Sequence, residues 1–260
     1  MQNLLTIAGL QTELVWENSV ENLKNFESKV ASISPDVDLI VLPEMFSTGF
    51  TMQPKNVAET MSGISVLWMK DIAVKYDIAL LGSLVIKENL CYYNRAVFVS
   101  SDGEISIYDK RHTFTLAGEG KIYTAGREVV IINYKGWKIC PQICYDLRFP
   151  VWSRNVQNYD VLIYIANWPK TRITAWDTLL KARAIENMSY CFGINRVGVD
   201  KNNYKFSGHS SGFDFLGNQI ASTKENEEDI FITSIDKQRM ISTRDKLQFL
   251  NDKDNFTILP

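Results

Sequence analysis

The chain has 260 residues, of which 45% are hydrophobic and 22% are charged, with 28 Lys and Arg against 30 Asp and Glu. This composition excludes a disordered chain, and the lack of a basic excess argues against nucleic-acid binding. No apolar run of about 18 residues is present to cross a bilayer, and the first 20 residues lack the basic start of a secretory signal. We therefore expect a single domain over residues 1–260, in the cytoplasm, without nucleic-acid or membrane partners.

The first third of the chain predicts alternating strands and helices. Asn18 can cap a helix with Glu21 at its third position, and apolar residues then recur every three or four positions up to Ile33. The uninterrupted apolar run 38–42 is typical of a strand buried on both faces. This β-α-β-α-β order is the pattern of an α/β layer fold. The predicted strands are Leu4–Ala8, Asp38–Leu42 and Ile78–Val85, and the second predicted helix is Val66–Tyr76.

The rest of the chain is richer in strands. Asp102-Gly103 and Lys135-Gly136 predict the tight turns of two hairpins. One further helix is predicted over Ala175–Tyr190, with an apolar side that includes Trp176 and Leu180. Many strands with few helices indicate packed sheets covered by helices. The predicted strands are Ala96–Ser100, Ile105–Tyr108, Val129–Tyr134, Trp137–Ile143, Asp160–Ala166, Cys191–Asn195, Gly212–Leu216 and Ile230–Ile235.

The cysteines and histidines predict neither a disulfide nor a metal site. Cys140 and Cys144 lie on one predicted strand, where four residues span about 13 Å, whereas a disulfide needs Cα atoms within about 7 Å. Their spacing also differs from the C-x-x-C pattern of structural zinc sites. His112 and His209 are the two histidines, which excludes a multi-histidine metal site. The remaining cysteines are Cys91 and Cys191.

Three reactive side chains stand where predicted strands end. Glu44 follows one buried strand, Lys110 follows a hairpin strand and Cys144 follows another. Ligand sites of α/β sheets lie beyond the carboxyl ends of strands, so these side chains are candidates for one pocket. Each also has a simpler explanation: a solvated loop carboxylate, a solvated charged run and a buried thiol, respectively.

The segments around these residues resemble the carbon–nitrogen hydrolase (nitrilase) superfamily, in the family's order, from residue 1 to about 236. The ω-amidase branch, which acts on small 2-oxo acid amides, is most similar, because Cys-Tyr-Asp-Leu-Arg-Phe-Pro is followed by Val-Trp-Ser-Arg. Thr113 is a departure, since relatives often carry Leu there. The matching segments are Leu42–Phe46, Tyr108–Phe114, Ile143–Pro150, Asn167–Pro169, Lys181–Asn187 and Gly208–Gly212.

The resemblance implies an α/β fold built as a four-layer α-β-β-α sandwich. It also implies a homodimer formed through the outer helices, including the one just after the nucleophile. The implied site is a triad of Glu44, Lys110 and Cys144, acting without cofactor or metal on a small amide. A second carboxylate of the family matches Glu119 in the glycine-flanked loop 116–120, and a simple ion pair with Lys121 is the alternative role of that residue.

This triad suits the hydrolysis of an amide through a thioester. A free thiol has a pKa of about 8.5, so a base must take its proton, and Glu44 is expected to do so. Lys110 and the backbone N–H of Tyr145 are expected to stabilise the negative charge on the attacked oxygen. Glu44 is then expected to pass its proton to the departing ammonia and to activate the water that hydrolyses the thioester with Cys144.

Substrate recognition rests on weaker signals. Arg148, four residues after the nucleophile, suits a substrate carboxylate because its guanidinium presents several donors in one plane. The alternative is a structural pair with Asp146 or a buried acid. Trp168, Phe46 and Phe50 are candidates for an apolar pocket wall, although aromatic residues at strand ends are more often simple packing.

Four hypotheses follow for the function. The leading one is an ω-amidase that converts, for example, 2-oxoglutaramate or 2-oxosuccinamate to a 2-oxo acid and ammonia. Others in the same superfamily are deaminated-glutathione amidase, N-carbamoyl hydrolase and nitrilase. A papain-like site with His112 or His209 as base lacks the local signatures and the Asn partner, and both histidines are expected to be structural. A non-enzymatic dimeric scaffold does not account for Glu44, Lys110 and Cys144 together.

Overall fold

The computed structural model describes residues 2–33 and 35–258, and within them the chain forms strands and α-helices joined by short 3-10 turns. The strands are β1 (Leu4–Gln11), β2 (Leu39–Val41), β3 (Ala79–Glu88), β4 (Cys91–Val99), β5 (Ile105–Asp109), β6 (Ile132–Tyr134), β7 (Trp137–Ile143), β8 (Val161–Ala166), β9 (Tyr190–Asn195), β10 (Val197–Val199), β11 (Lys205–Ser207), β12 (Ser211–Phe213), β13 (Gln219–Ser222) and β14 (Asp229–Asp236). The helices are α1 (Ser19–Ala31), α2 (Pro54–Val57), α3 (Ile64–Tyr76), α4 (Pro150–Ser153), α5 (Ile173–Asn187) and α6 (Lys237–Leu247).

Most of the strands form two six-stranded sheets, each with parallel strands at its centre, and β10 pairs with β11 in a separate two-stranded sheet. The first sheet has the order β14-β1-β2-β3-β4-β5, and β1, β2 and β3 run parallel. The second has the order β13-β12-β9-β8-β7-β6, and β7, β8 and β9 run parallel. Among the parallel strands, β2 and β8 are continuous apolar runs, as expected for strands that are covered on both faces.

Alternation along each strand sends side chains into different cores. In β2, Leu39 and Val41 belong to the core between the two sheets, whereas Ile40 packs with α1 and α3. In β8, Ile163 lies between the sheets and Leu162 packs against α5. The layers are therefore α1 with α3, the first sheet, the second sheet, and α5. This arrangement confirms the predicted four-layer α-β-β-α sandwich.

The predicted cap of the first helix is confirmed, but several predicted ends are wrong. The strand predicted from Val129 begins at Ile132, and the strand predicted from Ala96 begins at Cys91. Asn18 accepts a hydrogen bond from the backbone N–H of Glu21, and α1 begins at Ser19. The helix predicted to reach Tyr190 ends at Asn187, because Met188 has a φ of 46° and leaves the helical conformation without a Gly or Pro to signal it. The strand predicted to reach Leu216 ends at Phe213, where a turn begins.

Some elements carry no sequence signal strong enough to predict. Strands β10, β11 and β13 have only three or four residues each. Helix α6 has almost no apolar side, since Met240 is the buried residue among its described side chains. A helix of this kind lacks the periodic apolar stripe by which helices are recognised.

The cysteines of the described chain are free, as predicted for Cys140 and Cys144. Among the described residues, no helix combines the length and the apolar character that crossing a membrane requires. No cluster of three or more side chains suited to hold a metal ion is found in the same part of the chain.

Candidate active site

Glu44, Lys110 and Cys144 lie together where β2, β5 and β7 end. Lys110 Nζ lies 2.9 Å from Glu44 Oε1, and the two side chains are 2% and 0% exposed. Both polar groups are thus removed from water, so the simpler explanation of each as a solvated surface group is wrong. Cys144 is partly exposed, which leaves its thiol accessible from a pocket.

Fixed donors orient the carboxylate of Glu44. Its Oε1 accepts hydrogen bonds from Asn94 Nδ2 at 2.7 Å and from Lys110 Nζ. Its Oε2 accepts one from the backbone N–H of Asn167 at 2.8 Å. Next to it, Met45 has a φ of 45° and its N–H donates to the hydroxyl of Ser83. These bonds hold the carboxylate in one orientation, as a base acting at a fixed point requires.

Lys110 is held between two carboxylates. Its Nζ lies 3.1 and 3.0 Å from the two oxygens of Glu119, which is fully buried. Glu119 also accepts from the backbone N–H of Phe114, and this bond fixes the loop that covers the site. The alternative pairing of Glu119 with the exposed Lys121 is therefore wrong.

The buried charges set the protonation of the site. Burial alone would lower the pKa of Lys110, but the carboxylates of Glu119 and Glu44 outweigh it and hold that pKa well above its usual range. Burial raises the pKa of Glu119, and the ammonium of Lys110 opposes that rise. Burial and the charge of Glu44 raise the pKa of Cys144 well above its usual value. The resting site thus contains an ammonium and a protonated thiol.

Cys144 starts a tight turn in an unusual backbone conformation. It follows β7 and opens the 3-10 turn Cys144–Arg148 with a φ of 46°. Left-handed conformations cost a non-glycine residue on the order of 1–3 kcal/mol and persist where surrounding contacts enforce them. This turn places the side chain of Cys144 beyond the end of the strand, beside Glu44 and Lys110.

Asp146 ties this turn to the segment that carries Lys110. Its carboxylate accepts from Tyr108 Oη at 2.8 Å, from the backbone N–H of His112 at 2.9 Å and from that of Ile143 at 3.0 Å. It also lies 2.8 Å from Nδ1 of His112, whose ring stacks on another aromatic ring. The structural role expected for His112 agrees with this contact. The alternative pair of Asp146 with Arg148 is wrong.

Replacing Asp146 by alanine should lower the free energy of unfolding by at least about 3 kcal/mol, because several buried donors would lose their acceptor. Chemical denaturation followed by circular dichroism measures this change. Asp71→Ala, at an exposed position of α3, is the control and should change stability by less than about 0.5 kcal/mol. A loss below about 1 kcal/mol at Asp146 would contradict the role of this network.

A pocket of about 140 Å³ opens onto the triad. Four predicted substrate-binding residues, Phe50, Tyr145, Arg148 and Trp168, line it together with the triad. Phe46 does not, because its ring packs in the outer core against Phe26 and Trp68. The other lining residues are Phe114, Leu116, Ala117, Asn167, Pro169, Arg172, Asp200, Tyr204 and Phe206.

Asn167, Asn94 and Arg172 belong to the site or its surroundings and were not predicted as site residues from the sequence. Asn167 directly follows β8, so the rule that pointed to Glu44 and Cys144 also points to it. Asn94 lies inside β4, where nothing distinguishes it from other strand residues. Arg172 sits in the short turn before α5, far along the chain from the triad.

The two histidines lie outside the pocket lining. His209 Nδ1 contacts the carboxylate of Asp177 at 3.1 Å, and its Nε2 lies 3.6 Å from Glu225. The charges that influence the thiol of Cys144 come from Glu44, Lys110 and Glu119. The geometry therefore offers no support for a papain-like Cys–His pair.

Known proteins resemble this chain over almost its whole length. A family model described as Carbon-nitrogen hydrolase matches residues 5–245. The chain is 40% identical over 255 residues to the omega-amidase YafV of Yersinia enterocolitica, covering 98% of this chain and 99% of that one. It is 32% identical over 252 residues to a 2-oxoglutaramate amidase of Bacillus subtilis, with coverages of 95% and 96%. A CN-hydrolase superfamily protein of Xanthomonas campestris, whose crystal structure has an arsenic adduct in the active site, matches with a TM-score of 0.96 at 35% identity, covering 99% of this chain and 100% of that one.

Proposed function

Because the chain belongs to the carbon–nitrogen hydrolase family, we propose that it hydrolyses the terminal amide of a small 2-oxo acid and releases ammonia. It is a hydrolase of carbon–nitrogen bonds other than peptide bonds. The observation that carries the proposal is the buried Glu44–Lys110–Glu119 cluster beside an accessible Cys144 in a small pocket. The omega-amidase and the 2-oxoglutaramate amidase among its relatives support this substrate class.

In the proposed first step, Cys144 Sγ bonds to the amide carbon while its proton passes to Glu44. The carbonyl oxygen then carries a negative charge. The ammonium of Lys110 and the backbone N–H of Tyr145 stabilise it, and losing one such donor typically costs about 10²–10³ in rate. Lys110 needs no rearrangement for this task, because Glu44 and Glu119 already hold its ammonium in place.

In the second step, the carbon–nitrogen bond breaks and Glu44 gives its proton to the departing ammonia. A thioester on Cys144 remains. Glu44 then takes a proton from water, whose oxygen bonds to the thioester carbon. As the carbon–sulfur bond breaks, the sulfur recovers the proton from Glu44 and the carboxylic acid product leaves.

Asn167 supplies an acceptor that suits the amide nitrogen. Its Nδ2 donates to the backbone oxygen of Glu44, and its Oδ1 is buried without a hydrogen-bond partner among the described residues. An unpaired buried acceptor costs free energy, typically about 1–3 kcal/mol, until a ligand satisfies it. An N–H of the substrate amide would provide that donor beside Glu44.

The pocket walls favour a small, anionic substrate. Arg148 lies 4.9 Å from the ring centre of Trp168, and no carboxylate of the described chain pairs with it. Its guanidinium is therefore free to bind a substrate carboxylate. Phe50 and Trp168 limit the space between this charge and Cys144.

Ammonia release from a panel of amides tests the proposal. We expect 2-oxoglutaramate and 2-oxosuccinamate to be hydrolysed with a kcat/KM at least about 10-fold above that of deaminated glutathione, an N-carbamoyl amino acid or a nitrile. The pocket of about 140 Å³ disfavours the bulkier deaminated glutathione, and the other two compounds lack the amide of a 2-oxo acid. Succinamate, which lacks the 2-oxo group, is the matched control substrate. A preference for any of the other compounds would reassign the substrate within the same family.

We further propose that the chain acts in the cytoplasm as a homodimer. Its free cysteines suit a reducing compartment. The surface of α4 and α5 exposes the apolar side chains of Val151 and Ile185, by 56% and 46%, which suits an interface between two copies. Sedimentation at the mass of one chain, 29.7 kDa, would contradict the dimer.

A further inference from the structure

Arg172 is a second arginine of the pocket, and it is anchored to the same aromatic residue as Arg148. Its guanidinium lies 5.1 Å from the ring centre of Phe114. Its backbone oxygen accepts a hydrogen bond from Trp168 Nε1 at 2.8 Å, while Arg148 lies over the ring of Trp168. Two guanidinium groups are thus held on the pocket wall by aromatic rings.

Neither of these arginines has an anionic partner in the described chain. Elsewhere in the molecule, arginines bind carboxylates directly: Arg95 contacts Asp109 at 2.7 Å, and Arg183 contacts Glu186 at 3.0 Å. Asp200 also lines the pocket, but its carboxylate accepts the backbone N–H groups of its own turn. Two unpaired cations in one pocket repel each other, so an anion between them would be stabilised.

A third guanidinium lies behind the pocket wall. Arg196 is fully buried and donates to backbone oxygens, those of Val197 at 3.1 Å and Leu14 at 3.2 Å. It lies 4.7 Å from the ring centre of Phe206, which lines the pocket. Burial lowers the pKa of Arg196 to about 10, so the group stays charged at neutral pH. The carboxylates of Asp200 and Glu13 act against this lowering of the pKa, so they offset part of the charge of Arg196, and the attraction for an anion rests on Arg148 and Arg172.

We propose that Arg148 and Arg172 together bind the adjoining carboxylate and 2-oxo groups of the substrate, and that Arg172 determines the specificity for 2-oxo acids. A guanidinium presents its donors in one plane and suits two acceptor oxygens at once. A 2-oxo acid offers three such oxygens on adjacent carbons, enough for two guanidinium groups. The identity of the substrate rests on the proposed function, but the binding of a 2-oxo acid does not require turnover.

Isothermal titration of the enzyme with 2-oxoglutarate tests this proposal. Arg172→Gln should raise the Kd by about 10- to 100-fold, the usual effect of losing a hydrogen bond to a charged group. Arg172→Lys keeps the positive charge but loses the planar guanidinium that can bind two oxygens at once, and it should give an intermediate Kd. Arg127→Gln, at an exposed position outside the pocket, removes the same charge and should leave the Kd unchanged. Circular dichroism of each variant checks the fold.

Kinetics with 2-oxosuccinamate and succinamate separate the two proposals. Arg172→Gln should raise KM for 2-oxosuccinamate more than for succinamate, which has the same carbon chain without the 2-oxo oxygen. If turnover occurs and Arg172→Gln changes neither the Kd for 2-oxoglutarate nor the ratio of the KM values for the two amides, the role proposed for Arg172 is contradicted. The proposed function then stands. If 2-oxoglutarate binds through Arg172 but no amide is hydrolysed, the proposed function is wrong and the binding site stands. Failure of the wild-type protein to bind 2-oxoglutarate would overturn the inference directly.

Discussion

Replacing Cys144 by alanine should reduce ammonia release by at least about 10⁴-fold, because the proposed reaction passes through a bond to its sulfur. The fold should remain, since alanine keeps the β-carbon and removes a single atom from a partly exposed side chain. The measurement is ammonia release from 2-oxoglutaramate by the purified variant, together with its thermal unfolding curve.

Cys91→Ala is the matched control for this experiment. Cys91 is also a free, partly buried cysteine, but it lies at the start of β4 and does not line the pocket. It should retain full activity. Turnover by the Cys144 variant at more than about a hundredth of the wild-type rate would exclude the covalent mechanism.

Glu44→Gln should lower kcat by about 10²–10⁴-fold while 2-oxoglutarate still binds, because the amide has the shape of the carboxylate but cannot accept a proton. Its nitrogen must also face either Lys110 with Asn94 or the N–H of Asn167. One of these donors then loses its acceptor, which we expect to cost about 1–3 kcal/mol of stability. Steady-state kinetics and titration with 2-oxoglutarate measure the two effects separately.

Glu59→Gln provides the comparison for this variant. Glu59 is a partly buried carboxylate that accepts from the backbone N–H of Ser65 at 2.8 Å, and it lies outside the pocket lining. Its replacement should lower stability without changing kcat. A Glu44→Gln enzyme that turns over at the wild-type rate would remove Glu44 from the mechanism.

Packed sheets covered by helices could be predicted from local pattern, whereas the four-layer order and the triad followed from the resemblance to the carbon–nitrogen hydrolase superfamily. Strands buried on both faces read as apolar runs, and reactive residues at their ends stand out against them. Whether a side chain is buried depends on contacts with other parts of the chain, and the local sequence does not show these contacts. Lys110 belongs to a charged run that suggests a surface, and it is buried because Glu119 arrives from a separate loop.

The alternative role considered for Arg148 was wrong for the same reason, because the partner of a side chain depends on how the chain folds around it. A structural pair of Arg148 with Asp146 was the alternative because a buried Arg is usually paired. The 3-10 turn instead directs Asp146 inward to Tyr108 and His112, and Arg148 outward to Trp168. Arg172 carried no signal, because its role depends on the pocket that the turn before α5 helps to close.

The pairing of β1 with β14 has a consequence for how the protein is made. Leu4 lies opposite Asp236 and Gln11 opposite Asp229, so one edge of β1 has no partner until β14 has left the ribosome. An unpaired strand edge readily joins another chain, so the nascent protein depends on protection from aggregation during this interval. Glu44 and Lys110 belong to this late-closing sheet, whereas Cys144 belongs to the other. A newly made chain therefore completes this sheet, and with it the support for the residues that act on Cys144, only after β14 has been made.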